Sequence, residues 1–248
     1  SPNLDEAHFN LAIILEERDK TDEAIAHYRT AVEIKPDFVK AHNNLGAAYL
    51  RQNNLDDAGV HLRKALQLDP NFAPAHNNMG LAHVKQGKLD EAVESYLRAL
   101  ELNPKLAEAQ FNLGYALLMQ GKAEQATMRF QKALQLDPDH AEAHTNLGGQ
   151  LLNQGKLYEA LVHLKRAIDI NPELAEAHNK VGIILIQRGD LAAAISHFQD
   201  AVRINPDFEL ANSNLHRALA IRDSMDTEIG KVQKELDARP ADPGLHFK

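Results

Sequence analysis

The sequence predicts an all-α fold built as an array of helix pairs, and three observations predict it. Prolines stand at Pro2, Pro36, Pro70, Pro104, Pro138, Pro172, Pro206 and Pro240, each 34 residues from the next, and only Pro74 and Pro243 fall outside the series. A fixed period of that size marks a repeat array with no single central core. Within one period the apolar residues recur at i, i+4, i+7 and i+8. Ala41, Leu45, Ala48 and Tyr49 form one such set, and Ala58, Leu62, Ala65 and Leu66 form a second. Each set is one stripe of a helix of about 3.6 residues per turn, so each period holds two helices. Apolar residues make up 44% of the chain but aromatics only 5%, with no Trp, so Ala and Leu must do most of the packing, which suits closely spaced helices.

Setting each of these prolines at position 32 divides a single array over 1–248 into repeats 5–38, 39–72, 73–106, 107–140, 141–174, 175–208 and 209–242. The first helix carries Ala at position 3 in all seven units, from Ala7 to Ala211, and a large apolar residue at position 7. Position 8 is Gly46, Gly80, Gly114, Gly148 and Gly182 in the inner units. The turn falls at position 15, which is Asp19, Asn53, Gly87, Gly121, Gly155, Gly189 and Asp223. All are residues that tolerate the left-handed backbone common at a helix C-terminus. The second helix opens with an acid at position 18, as in Asp22, Asp56, Asp90 and Glu124, where the helix dipole favours it. It packs through Ala at positions 20 and 27, and the proline ends it, because the residue before a proline is pushed out of helical geometry. Small residues at positions 8, 20 and 27 let helix axes approach; larger ones would overpack the contact.

The seventh unit is degenerate, with Glu228 and Glu235 in place of the two alanines. Its second half, 224–236, is expected as a helix capped by Ser224. Residues 243–248 begin a further, truncated repeat, and Ser1-Pro2-Asn3-Leu4 fits the end of a preceding one. With no initiator Met and both ends inside the period, the expectation is a segment cut from a longer protein.

With Gly at 8, Ala at 20 and 27, Pro at 32, and large residues at 24 (Tyr28, Leu62, Tyr96, Phe130, Leu164, Phe198), the chain resembles the tetratricopeptide repeat family over essentially its whole length. It departs from that pattern at position 4, often Trp in the family and here mostly His. The resemblance implies a right-handed superhelical solenoid of antiparallel helix pairs, with the first helices lining the concave face.

No nucleophile constellation, Gly-rich phosphate loop or metal-ligand cluster stands out, so the expectation is a non-enzymatic segment without cofactor. Histidines recur at position 4 and, as His27, His61, His163 and His197, at position 23. Successive repeats place like members on the order of 10 Å apart, too far to share a metal with ligands about 2 Å away. His140 and His144 lie near Asp137 and Asp139 but across a turn, and no metal is expected there. With no cysteine there is no thiolate chemistry. The net charge of −8 lacks the basic face of a nucleic-acid binder. No apolar run is long enough to insert in a membrane, and no signal segment opens the chain, so the cytoplasm is the expected compartment.

Position 6 is the strongest functional signal: Asn10, Asn44, Asn78, Asn112, Asn146, Lys180 and Asn214. A carboxamide both donates and accepts, so a ladder of them can bridge the N–H and C=O of an extended peptide without reading its side chains. The alternative is that these asparagines bond to adjacent helices. The ladder resembles that of the repeat domain of O-linked N-acetylglucosamine transferases, whose units also favour His-x-Asn-Leu-Gly. Asn43, Asn77 and Asn179 at position 5, with Leu81, Tyr115 and Ile183 at position 9, are expected to give the groove mixed walls. The carboxylate clamp of chaperone-binding repeats needs Lys at position 5, and no unit has one. The expected function is therefore a scaffold that binds a protein or peptide, an extended segment or a partner helix, in the groove. Two alternatives stand beside it: the substrate-recognition arm of a larger enzyme such as a glycosyltransferase, and self-assembly through the array ends.

Overall fold

The computed structural model describes residues 4–237; Pro2, Pro240, Pro243 and the truncated unit 243–248 lie outside them. The chain divides into two compact units, Ser1–Ala143 and His144–Lys248. The first unit holds four helix pairs: α1 (Leu4–Glu16) with α2 (Thr21–Ile34), α3 (Val39–Arg51) with α4 (Leu55–Leu68), α5 (Ala73–Lys85) with α6 (Leu89–Leu102), and α7 (Ala107–Met119) with α8 (Ala123–Leu136). The division falls in the first turn of α9 (Ala141–Asn153). That helix is followed by α10 (Leu157–Ile170), α11 (Ala175–Gln187), α12 (Leu191–Ile204) and α13 (Glu209–Asp237).

Each hairpin forms where position 15 takes the left-handed backbone: Asp19 at φ 57°, Asn53 at 59°, and Gly87, Gly121, Gly155 and Gly189 at 74° to 79°. The second helices end two residues before the proline. The residue in between, from Lys35 to Asn205, is extended at φ −129° to −138°. The proline ring enforces that stop, since it clashes with a helical predecessor.

Packing inside a pair is set by positions 8 and 24. Tyr28, Leu62, Tyr96, Phe130, Leu164 and Phe198 are almost wholly buried, each contributing about 1.5–3 kcal/mol by leaving water. The glycine opposite makes room: a Cβ at Gly182 would stand 2.5 Å from Phe198 Cε1, and one at Gly114 2.8 Å from Phe130 Cε1. The alanines at positions 20 and 27 are fully buried in the first six repeats, as in Ala24, Ala31, Ala194 and Ala201.

The seventh repeat departs from expectation. α13 is one helix of 29 residues, so Asp223 is helical and Ser224 lies mid-helix, not at a cap. A turn at Asp223 would fold Glu228 and Glu235 onto α13's own first half, at positions that are buried alanines elsewhere. Burying unpaired carboxylates is costly, and the helix instead continues with residues 220–237 exposed.

Candidate functional site

First helices of neighbouring repeats lie side by side, α3 against α5 and α5 against α7 in the first unit, α11 against α13 in the second. Position 6 therefore recurs along a first-helix face within each unit. Asn10 is exposed, Asn44, Asn78 and Asn214 are half-buried, and Asn112 is just buried. Asn146 and Lys180 are also half-buried.

Four of these side chains are held by the repeat before them. Asn78 Nδ2 donates to Asn43 Oδ1 at 2.9 Å, Asn112 Nδ2 to Asn77 Oδ1 at 3.1 Å, and Asn214 Nδ2 to Asn179 Oδ1 at 2.9 Å. Asn43 passes the chain on to Asn44 Oδ1 at 3.0 Å, and Asn44 to the Tyr28 hydroxyl at 3.3 Å. Burial raises the pKa of that hydroxyl and outweighs the Asn44 bond, which lowers it. Asn43, Asn77 and Asn179 are 5%, 6% and 2% exposed, and their amide oxygens accept the position-6 N–H of the next repeat. The amide oxygens of Asn78, Asn112 and Asn214 accept no hydrogen bond among the described residues. At position 9, Tyr115 is exposed, while Leu81 and Ile183 are half-buried.

In the second unit a cleft of about 200 Å³ between α11, α12 and α13 is lined by Ile183, Ile186, Phe198, Asn214 and Ile221. A second cleft holds Asn179, Lys180, Phe208 and Leu210. Lys180 pairs with Glu176 one turn earlier, and a Cβ at Gly149 would stand 2.5 Å from its Cε. Its charge is thus already partnered within its own helix.

Two arrangements were not legible from like positions in successive repeats. Within one repeat, positions 4 and 23 face each other across the hairpin: the Nδ1 atoms of His8 and His27 are 2.8 Å apart, of His42 and His61 3.0 Å, of His144 and His163 2.8 Å, and of His178 and His197 3.1 Å. Where position 4 is Gln110, Arg129 bonds to it at 3.2 Å. The signal was present, because both histidine positions are filled in the same four repeats. The second arrangement surrounds His140, packed on Phe111 at 4.5 Å between ring centres, with Nε2 3.5 Å from Glu108 Oε2 and Nδ1 3.3 Å from Glu142 Oε2.

A family model described as TPR repeat matches residues 16–53 and 82–121. Others described as tetratricopeptide repeat match 39–72, 61–94, 117–184 and 175–208. Together they run from 16 to 208, and two coincide with repeat units set by the prolines. A search of curated proteins returned no match. Among solved structures, the chain is similar to one from the APC/C hetero-tetramer Cut9–Hcn1, at 20% identity and TM-score 0.81, covering 88% of this chain and 43% of that one. It therefore spans less than half of that protein. It is similar to Pseudomonas aeruginosa PilF at 23% identity and TM-score 0.73, covering 84% and 95%. It is also similar to YrrB, described as a TPR protein with an unusual peptide-binding site, at 25% identity and TM-score 0.55, covering 75% and 96%. None of the matched families is catalytic.

Proposed function

The chain belongs to the tetratricopeptide repeat family, and from that membership we propose that it is a protein-interaction scaffold whose first-helix face holds an extended peptide through its position-6 asparagines. The supporting observation is the way those carboxamides are tied. One N–H of Asn78, Asn112 and Asn214 goes to the asparagine behind it, so each amide is oriented while its oxygen accepts no hydrogen bond among the described residues. An oriented acceptor costs little further ordering when a peptide N–H arrives, which favours binding. Backbone recognition of this kind is largely independent of side-chain sequence.

The spacing suggests a conformation. Packed helices lie about 8–10 Å apart, and a polyproline II segment advances about 9 Å for every three residues. One rung per three peptide residues follows. Exposed Tyr115 and half-buried Leu81 at position 9 supply apolar contact beside the rungs. YrrB, similar in fold, is described as having a peptide-binding site, which agrees in kind.

The test uses a peptide selected by display against the whole chain. The triple variant Asn44→Ala, Asn78→Ala, Asn112→Ala should bind it at least about tenfold more weakly, given about 0.5–1.5 kcal/mol for each lost bond. Unchanged affinity with unchanged helicity would remove the asparagines from the binding face.

A further inference from the structure

The histidine pair of repeat 175–208 has a third partner. His178 Nδ1 lies 3.1 Å from His197 Nδ1 and 3.8 Å from Asp200 Oδ2, and one ligand atom from each of the three falls within 4.8 Å of the others. On the far edge of the His178 ring, Nε2 is 3.2 Å from the Pro172 carbonyl oxygen. A carbonyl only accepts, so Nε2 carries a ring proton, and in the neutral ring a metal requires Nδ1 presents its lone pair to His197 and Asp200.

We propose that His178, His197 and Asp200 form a binding site for one divalent transition-metal ion, zinc by its donor set, with water completing the coordination. Two imidazole nitrogens bound to tetrahedral zinc at about 2.0–2.1 Å are about 3.3 Å apart, close to the 3.1 Å between the two Nδ1 atoms. The Pro172 carbonyl supplies the outer-shell acceptor that orients a metal-binding histidine. His178 is buried, while His197 and Asp200 are half-buried, so the site is shaped yet reachable. Two cations are near. The charge of Lys165 acts on His197, and Arg203 Nε lies 3.6 Å from Asp200 Oδ1, leaving Oδ2 on the histidine side.

The chain supplies its own control. His42 and His61 reproduce the pair at 3.0 Å, with His42 Nε2 3.1 Å from the Pro36 carbonyl. Three residues after His61, however, stands Lys64, whose charge bears on His42. The same place holds Thr30 after His27 and Arg166 after His163. Only the pair in 175–208 has a carboxylate there, and among the described residues only it completes a set of two histidines and one carboxylate with ligand atoms close together.

The test is calorimetric titration of the whole chelator-treated chain with zinc chloride, repeated with cobalt to record the visible spectrum of the bound ion. One site per chain is expected, with a tetrahedral cobalt spectrum. Asp200→Lys copies repeat 39–72 at a half-exposed position and should keep its helicity while losing at least about tenfold in zinc affinity. His197→Ser copies Ser95 in repeat 73–106 and should abolish the cobalt spectrum. No zinc binding by the wild-type chain, wild-type affinity in both variants, or an equal loss in His61→Ser would overturn the proposal.

Discussion

Gly80 and Tyr96 meet so closely that a Cβ on residue 80 would stand 2.6 Å from Tyr96 Cε1. The ring is 1% exposed and cannot swing aside into solvent. Replacing Gly80 by Ala gains about 1 kcal/mol of helix propensity against an overpacking cost of about 1–3 kcal/mol, so its net effect runs from neutral to about 2 kcal/mol destabilising. Gly80→Val lacks most of that offset and should destabilise by about 2 kcal/mol or more, read as a lower urea midpoint. Ala12 fills the same place opposite Tyr28 in the first repeat, which shows that a methyl group can be accommodated when the helix pair is built around it.

Gly121 sits at φ 76° with nothing within 4 Å of where a Cβ would stand, so only backbone strain opposes substitution there. Gly121→Asn should be nearly neutral, because Asn53 adopts φ 59° in the equivalent turn. Gly121→Val should cost roughly 1–3 kcal/mol in thermal or urea unfolding.

The His140 cluster predicts a pH dependence. Burial works against the His140 charge, but the hydrogen bond and charge of Glu108, then Glu142 and Asp137, prevail and hold its pKa above the ordinary 6.5. The His140 bond holds Glu108 below its ordinary 4.5 against the opposing effect of burial. A raised histidine stabilises fully below its unfolded pKa and loses that contribution as pH rises through the folded value. A lowered carboxylate stabilises above its unfolded pKa and loses it as pH falls through the folded value. Both contributions are present between about pH 4.5 and 6.5. His140→Gln should therefore be destabilising near pH 5.5 and much less so near pH 8.5 in parallel urea titrations. The solvent-facing Glu108 keeps the effect modest.

The second half of α13 makes no buried contact among the described residues. Its amides over 222–237 should exchange with solvent well before those of α12, whose Ala194, Phe198 and Ala201 are buried. Equal protection would mean that this half is packed against something.

The period, the hairpin turns and the helix stops were legible because each depends on a residue's own backbone preference: Asn53 or Gly87 at the turn, Pro70 after the stop. Small residues at positions 8, 20 and 27 were legible as places of close helix approach, but which large side chain faces each glycine, as Tyr96 faces Gly80, depends on the packing of the two helices. Asp223 misled because tolerance of the left-handed backbone permits a turn without requiring one; burial of the following helix requires it, and Glu228 and Glu235 remove that burial. The His42–His61 contact, between residues 19 apart, depends on how α3 and α4 are rotated about their axes, which periodicity alone does not specify. The same holds for Asn43, whose place behind Asn78 is set by the crossing of α3 and α5.

The most direct test of the peptide-holding face is a backbone N-methylation scan of a display-selected peptide, with affinity measured against the whole chain. Methylation removes one N–H donor at a time and leaves the side chains in place. Oriented acceptors at Asn78 and Asn112, with the remaining lone pair of the Asn44 oxygen that Asn43 already fixes, predict losses at about every third residue, and those losses should vanish in the triple alanine variant. Uniform tolerance of methylation, or the same losses in wild type and variant, would contradict a ladder that holds the peptide backbone.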